Sequence, residues 1–396
     1  MSNRRALFLS SVMLRGYGVS VVAHEIQRRI GRYGWDLTIG CLSSDSDFGG
    51  DAVIEVGTSA DEVAALCRSL GIELVVAQTT PYFEILPALA GEFPTVVFEH
   101  GDPSPMFFNE DADERQRIRA NKIVNVYPHV SRVIAVSHFL RHDIEWSAAG
   151  VVASGCDHIP DLGPKDLTLN AHRRAHPLRV GTLMRLGEGE SNYKGVELFA
   201  DLVEMSRSRG GIEFAVMGRG TDDDRDRWEA LGVEVHLNAS DDERAMYLRN
   251  LDVLISPSMW EGFNLPLVEA QASGTVGMAF DVGAHPETTP YLMSNLDDAV
   301  DLLGVWSDNR DELAQASRLA YRFARSKFSW DTSARLFAAH LDDVARPAQV
   351  ADPPGSLALR VDRLERLVRR EGLVGAGRVV GQHARRRVRR SQSGVA

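Results

Sequence analysis

Ser256-Pro-Ser-Met-Trp-Glu261-Gly-Phe-Asn-Leu-Pro266-Leu-Val-Glu269-Ala-Gln-Ala-Ser-Gly274 follows one short apolar run at 253–256 and leads into a second at 276–279. The spacing predicts a strand, a turn, a helix over 265–273 and a second strand. Pro266 suits the first helical position, where a missing N–H is no loss, and Asn264 or Leu265 falls at the cap. The amides of Phe263, Asn264 and Leu265 are then unpaired at the positive end of the helix, beyond the carboxyl end of the strand. Gly262 permits a close approach there. Glu261 lies before the cap and Glu269 in the first turn or just past it, so both carboxylates can face one bound molecule and accept hydrogen bonds from vicinal hydroxyls. Either glutamate alone is also explained as an acidic side chain favouring a helix amino end.

Outward from this stretch the same alternation recurs. Strand-like runs at 178–183, 213–217, 233–237, 253–256 and 276–279 are separated by helical patterns at 195–207, 222–231, 241–250 and 265–273. An earlier series has strands at 6–9, 37–41, 74–77, 95–98 and 133–136, with helices at 19–30, 60–70, 82–89 and 138–146. Each series predicts a parallel sheet covered by helices, so the fold class is α/β with two Rossmann-like, doubly wound domains facing a central cleft. Between them the pattern lapses into Pro, Gly, Asn and charged residues. The expected organisation is a first domain at 1–160, a linker at 161–177 and a second domain at 178–328. A helix at 329–346 is expected to pack back towards the first domain, ahead of a tail at 347–396. Leu357, Val361, Leu364 and Val368 give that tail a short amphipathic helix.

With 396 residues, 44% of them hydrophobic and 25% charged, the chain can bury two ordinary cores. No signal peptide or spanning helix is visible, and Cys41, Cys67 and Cys156 lack the spacing of a disulfide framework or zinc site. A cytoplasmic protein is expected. The net charge of -11 conceals eleven arginines in 356–396 against Asp362, Glu365 and Glu371. An acidic body argues against nucleic acid, while the basic tail is suited to a peripheral contact with the inner face of a membrane or with a protein.

Taken together, Glu261 and Glu269 with Gly262, Phe263, Pro266 and Gly274 resemble the E-x7-E motif of GT-B retaining glycosyltransferases, family 4. The resemblance extends to about residue 344. It implies a metal-independent transferase that moves a hexose-type sugar from a nucleotide-diphosphate sugar to a hydroxyl of a saccharide or glycolipid acceptor, with a role in cell-envelope polysaccharide or glycolipid synthesis as one expectation. By that resemblance Glu269 holds the donor ribose, and Glu261 with the amides of 263–265 holds the transferred sugar. Arg185 and Lys194 clamp the diphosphate and offset the charge of the leaving group, so no metal or other cofactor is required. Gly16 and Gly18 belong to a glycine-rich loop at the donor phosphates. His100, emerging from the strand at 95–98, meets the transferred sugar, and Asp102 is a candidate contact for the acceptor. Arg219, in Gly218-Arg219-Gly220, approaches phosphate or base, and Asp281-Val-Gly-Ala-His-Pro-Glu287 forms the next loop along the donor, with His285 a bystander. Ser137 caps the helix beginning at His138. Thr275 stands where the family often has proline, and 186–193 looks like a small insertion.

The acidic pairs Asp222-Asp-Asp224 and Asp111-Ala-Asp113 are read as solvated helix starts and not as metal ligands. Two other readings remain in view: a GT-B nucleotide-sugar epimerase or phosphorylase, and a non-catalytic partner that binds a nucleotide sugar. An NAD enzyme lacks support, because no Gly-x-Gly-x-x-Gly opens either domain.

Overall fold

The computed structural model describes residues 3–45, 53–108, 111–165, 176–186 and 191–345. The tail at 347–396 and its amphipathic pattern lie outside the described residues, as do 187–190 of the insertion. The first sheet contains β1 (Arg4–Met13), β2 (Trp35–Ser44), β3 (Val53–Glu55), β4 (Leu74–Ala77), β5 (Thr95–Glu99), β6 (Arg132–Ala135) and β7 (Gly150–Val151), in the order β3-β2-β1-β4-β5-β6-β7. The second contains β8 (Leu178–Arg185), β9 (Ile212–Arg219), β10 (Glu234–Leu237), β11 (Val253–Ser256), β12 (Val276–Phe280) and β13 (Tyr291–Met293), in the order β10-β9-β8-β11-β12-β13. The neighbouring strands described in both sheets are parallel.

Parallel strands are covered on both faces, which is why β4, β11 and β12 are wholly buried apolar runs, relieved only by Ser256 and Gly277. Strand order reverses between β1 and β4 in one sheet and between β8 and β11 in the other. Crevices open at such reversals, beyond the carboxyl ends of the strands. Residues 14–18, 78–80, 186 and 257–264 therefore border them.

Short edge strands β3, β7 and β13 carry too few residues to register as a period, and the sequence reading passes over them. It also leaves unassigned the helices Leu296–Asp308 and Arg310–Lys327, and marks only the start of the helix Ala112–Asn121. Arg185 is expected just past a strand, but β8 runs two residues further and takes it in as its last residue.

The helix Trp330–Ala345 lies on the first domain. Phe337 is wholly buried and packs on Phe8 and Phe98 at ring separations of 5.9 and 5.1 Å. Tyr33 donates to Asp331 at 2.7 Å and the Trp35 indole to Asp342 at 3.0 Å. This return crosses the chain leaving the first domain, and the crossing is tight. A Cβ on Gly155 would stand 2.2 Å from the backbone nitrogen of Trp330. Beside it, Arg325 donates to the carbonyls of Ile159, Pro160 and Ala272, fastening the end of the first domain to the second.

Thr275 does more than begin β12. Its hydroxyl accepts from the buried Lys165 ammonium at 2.6 Å, and Lys165 also reaches the Leu251 carbonyl. The linker thus enters the second domain through a buried lysine.

Gly155→Ala is expected to destabilise the chain by about 3 kcal/mol through overpacking against fixed backbone. Gly91→Ala, where a methyl meets nothing within 4 Å, should change stability by less than about 0.5 kcal/mol. Urea midpoints of the two variants check the contrast.

Candidate active site

The loop from β11 into the helix Leu265–Ala272 is held from inside. Asn264 is the cap residue, with φ 66°, a left-handed conformation that asparagine tolerates better than most side chains. Pro266 is the second helical residue, one later than its spacing predicts. The Asn264 Oδ1 accepts from the Leu267 amide at 3.2 Å, which turns Nδ2 towards Ser256 Oγ at 2.7 Å and His285 Nε2 at 2.9 Å. Because Nδ2 is a donor, His285 Nε2 accepts, and the ring proton sits on Nδ1, facing the Phe280 carbonyl at 2.9 Å. Burial holds the His285 pKa below the ordinary value. His285 is therefore more than a bystander, since it orients the cap.

Glu261 and Lys194 form one unit. Lys194 ends the helix Ser191–Lys194, and its Nζ donates to Glu261 Oε1 at 2.8 Å. Two glycines permit this: a Cβ on Gly195 would stand 2.2 Å from the Pro257 carbonyl oxygen, and one on Gly283 would stand 2.7 Å from the Glu261 carbonyl oxygen. Burial alone would raise the Glu261 pKa, but the Lys194 ammonium beside it brings it below the usual value. The carboxylate is ionised at neutral pH.

Across the cleft, Gln78 fixes His100. The Gln78 amide nitrogen donates to Ser10 Oγ at 2.9 Å and the Val19 carbonyl at 3.0 Å, so its oxygen accepts from His100 Nε2 at 3.0 Å. The His100 Nδ1 lone pair is left as an acceptor. Burial, assisted by the Lys122 ammonium, pushes the His100 pKa down to about 3. The two domains meet at this point: a Cβ on Gly262 would stand 2.3 Å from the His100 carbonyl oxygen, and one on Gly101 2.7 Å from the Trp260 ring. Gly262 thus serves the approach of one domain to the other.

Asp102, expected near an acceptor, is engaged elsewhere. It pairs with Lys122 at 2.5 Å, and Lys122 also donates to both oxygens of Glu99 at 2.9 Å. Tyr127 donates to Glu99 at 2.6 Å. Burial opposes the Lys122 charge, but Glu99 and Asp102 raise its pKa overall. Asp102 retains partial exposure, with 37% of its side chain accessible.

Arg185 and Arg219 stand opposite one another in the β8–β9 register. Their guanidiniums lie over the Tyr17 ring at 4.4 and 4.5 Å. Gly16, with φ 73°, lets the first-domain loop turn beneath them, and Arg219 donates to the Arg15 carbonyl. Gly18 opens the helix Gly18–Ile30. Tyr17 occupies the variable place in the Gly-x-Gly and carried no signal of its own.

Two glutamates depart from expectation. Glu287, expected along the donor, accepts from the amides of His138 and Phe139 at 3.0 and 2.6 Å and so caps a helix of the other domain, alongside Ser137. Glu269, expected to hold the donor ribose, is fully enclosed. Its Oε1 faces His158 Nε2 at 2.8 Å and its Oε2 lies 3.1 Å from Arg244. Burial would raise its pKa, but Arg244 and His158 bring it below the ordinary value. Phe263 and Leu265 are also buried, with Phe263 edge-on to Phe328 at 5.4 Å, so only their backbones remain for a ligand. The acidic runs are helix starts: Thr221 and Asp224 form a capping box, and Asp111 precedes the helix Ala112–Asn121.

Residues 179–319 match the family model described as Glycosyl transferases group 1. Over 131 residues the chain is 36% identical to the MMP alpha-(1->4)-mannosyltransferase of Mycolicibacterium hassiacum, covering 30% of this chain and 32% of that protein. Over 125 residues it is 31% identical to the lipopolysaccharide core biosynthesis mannosyltransferase LpsB of Rhizobium meliloti, covering 29% and 34%. The matched segments thus span about a third of these relatives. Among solved structures, Anabaena Alr3699/HepE in complex with UDP and glucose superposes with a TM-score of 0.68 at 16% identity, over 86% of this chain and 100% of that one. The sucrose-phosphate synthase of Thermosynechococcus elongatus gives 0.69 at 14%, over 86% and 99%. The chain has the two-domain GT-B fold, and within it residues 179–319 are similar to the Glycosyl transferases group 1 family.

Proposed function

We propose that the chain transfers a hexose from a nucleoside-diphosphate sugar to a hydroxyl acceptor, with retention at the anomeric carbon. The observation that carries this reading is the Lys194–Glu261 pair just before the Leu265–Ala272 helix, beside the junction where Gly262 abuts the His100 carbonyl. Helix amides and cations favour a diphosphate there, and the adjacent carboxylate favours sugar hydroxyls. The relatives named as mannosyltransferases support a hexose donor.

In the reaction, an acceptor hydroxyl attacks the anomeric carbon as the bond from that carbon to the diphosphate oxygen breaks. The departing oxygen takes the hydroxyl proton. Lys194, Arg185 and Arg219 stabilise the growing negative charge, a role that otherwise falls to a metal, so no metal is assigned to the step. Tyr17 must yield the two guanidiniums to the phosphates. His100, neutral, accepts a hydrogen bond from a hydroxyl through Nδ1. An acceptor from envelope polysaccharide or glycolipid, met at the inner face of a membrane through the basic tail, suits the charge distribution. No described helix is long and apolar enough to cross a membrane.

A thermal-shift screen of nucleotide sugars identifies the donor, since ligand at a hundred times its Kd stabilises by about 2.7 kcal/mol. With that donor, NMR of the product is expected to show the anomeric configuration retained and no dependence on free phosphate; inverted product overturns the mechanism. Lys194→Ala and Arg185→Ala should each lower kcat by about 100-fold or more, while dialysis against EDTA leaves turnover unchanged.

Because His100 titrates at about 3 in the folded chain and at 6.5 when unperturbed, the unfolded state takes up its proton first. Its contribution to stability therefore falls as pH drops below 6.5. Imidazole NMR signals of His100 are expected to stay constant from about pH 8 to about pH 5. A midpoint within that window contradicts the neutral role.

A further inference from the structure

His158 lies in the stretch leaving the first domain, 111 residues from Glu269 in sequence, yet their side chains are 2.8 Å apart. The other ring nitrogen, Nδ1, accepts from the Trp330 indole at 2.8 Å. An indole N–H can only donate, so Nδ1 carries the lone pair and the imidazole proton is directed from Nε2 to Glu269 Oε1. Both ring nitrogens are thus partnered. On one side Asp157 accepts from the Trp330 amide at 2.6 Å; on the other, Arg325 holds the carbonyls of Ile159 and Pro160 together with that of Ala272, at the end of the helix bearing Glu269.

The far oxygen is different. Among the described residues no donor is aligned on Glu269 Oε2, although it is wholly buried, and Arg244, 3.1 Å away, leaves its own Nε without an acceptor. A carboxylate kept only for packing would be satisfied at both oxygens, because a buried acceptor without a donor is costly. Here one oxygen is held by His158, and the other is ion-paired with Arg244 at 3.1 Å without an aligned hydrogen bond, so a better-aligned donor can compete for it. Vicinal hydroxyls of a nucleoside ribose supply such a donor.

Resting on the donor reading above, we propose that His158 is a positioning residue for ribose recognition. Locked in one tautomer by Trp330, it holds Glu269 Oε1 so that Oε2 meets a ribose hydroxyl when Arg244 makes way. The relay joins the ribose contact to the first residue of the helix that returns to the first domain, so nucleoside binding and the seating of that helix are coupled through one imidazole.

Calorimetric titration of the full chain with UDP and GDP, and with their 2′,3′-dideoxy analogues, tests this. For the wild type, the ribonucleotide that binds should exceed its dideoxy analogue in affinity. His158→Ala should weaken the ribonucleotide about tenfold and leave the dideoxy analogue unchanged, collapsing the ratio between them. His158→Gln, whose amide can accept from Trp330 and donate to Glu269, should restore most of that ratio. Trp330→Phe, which frees the ring without removing it, should lie between. Equal weakening of both nucleotides by His158→Ala marks a merely structural residue and overturns the proposal, as does an unchanged ratio. If the wild type binds neither nucleotide nor any sugar-linked form in the thermal-shift screen, the donor reading fails and this inference fails with it. Wild-type binding with an insensitive ratio overturns only the role of His158.

Discussion

A Cβ on residue 262 would stand 2.3 Å from the carbonyl oxygen of His100. The absence of that one carbon lets the loop after β11 lie against the loop after β5, and the candidate site depends on this contact. His100, Gln78 and Tyr17 come from one sheet; Glu261, Lys194, Arg185 and Arg219 come from the other. Glycines at 101, 195, 262 and 283 all remove bulk where backbones or long side chains converge near this junction. The second domain reinforces the seam by lending Glu287 as a helix cap to the first. Such contacts between strand-end loops are the expected geometry where two doubly wound sheets face one another.

Charge is handled consistently around this seam. Glu261 is paired with Lys194, Glu99 with Lys122 and Glu269 with Arg244, while the neutral His158 donates to Glu269. Removing either member of such a pair leaves a buried charge uncompensated, which costs more than the pair contributes when intact. These pairs therefore fix conformation more than they add stability. The neutral His100 fits the same pattern, since a second positive charge beside Lys122 would be costly in a buried setting.

The strongest local periods were readable from sequence: the helices Ala60–Leu70, Tyr82–Leu89 and Asp241–Asn250 and the strands Leu74–Ala77 and Val253–Ser256 begin and end where apolar spacing places them. Glu261 and Lys194 were legible as separate charges, but their pairing depends on a left-handed Gly195 that no period announces. Arg185 and Arg219 were each singled out, yet only parallel register makes them neighbours on Tyr17. Glu269 was identified by position, whereas its enclosure follows from His158 and Trp330, which are remote in sequence. Asp102 and Glu287 show the converse. Their places at strand and loop ends suggested ligand contacts, and tertiary partners claimed their carboxylates first.

The return of the Trp330–Ala345 helix sets an order of assembly. Phe8, from the first strand of the chain, and Phe98 share their packing with Phe337, so the core of the amino-terminal domain lacks a wall until the last described helix has been made. Domains generally fold as units as the chain emerges during synthesis. Here the second domain, whose own core draws on residues from 178 to 316, can close before the first. The core of the amino-terminal domain is therefore completed by a segment that follows the second domain in the chain.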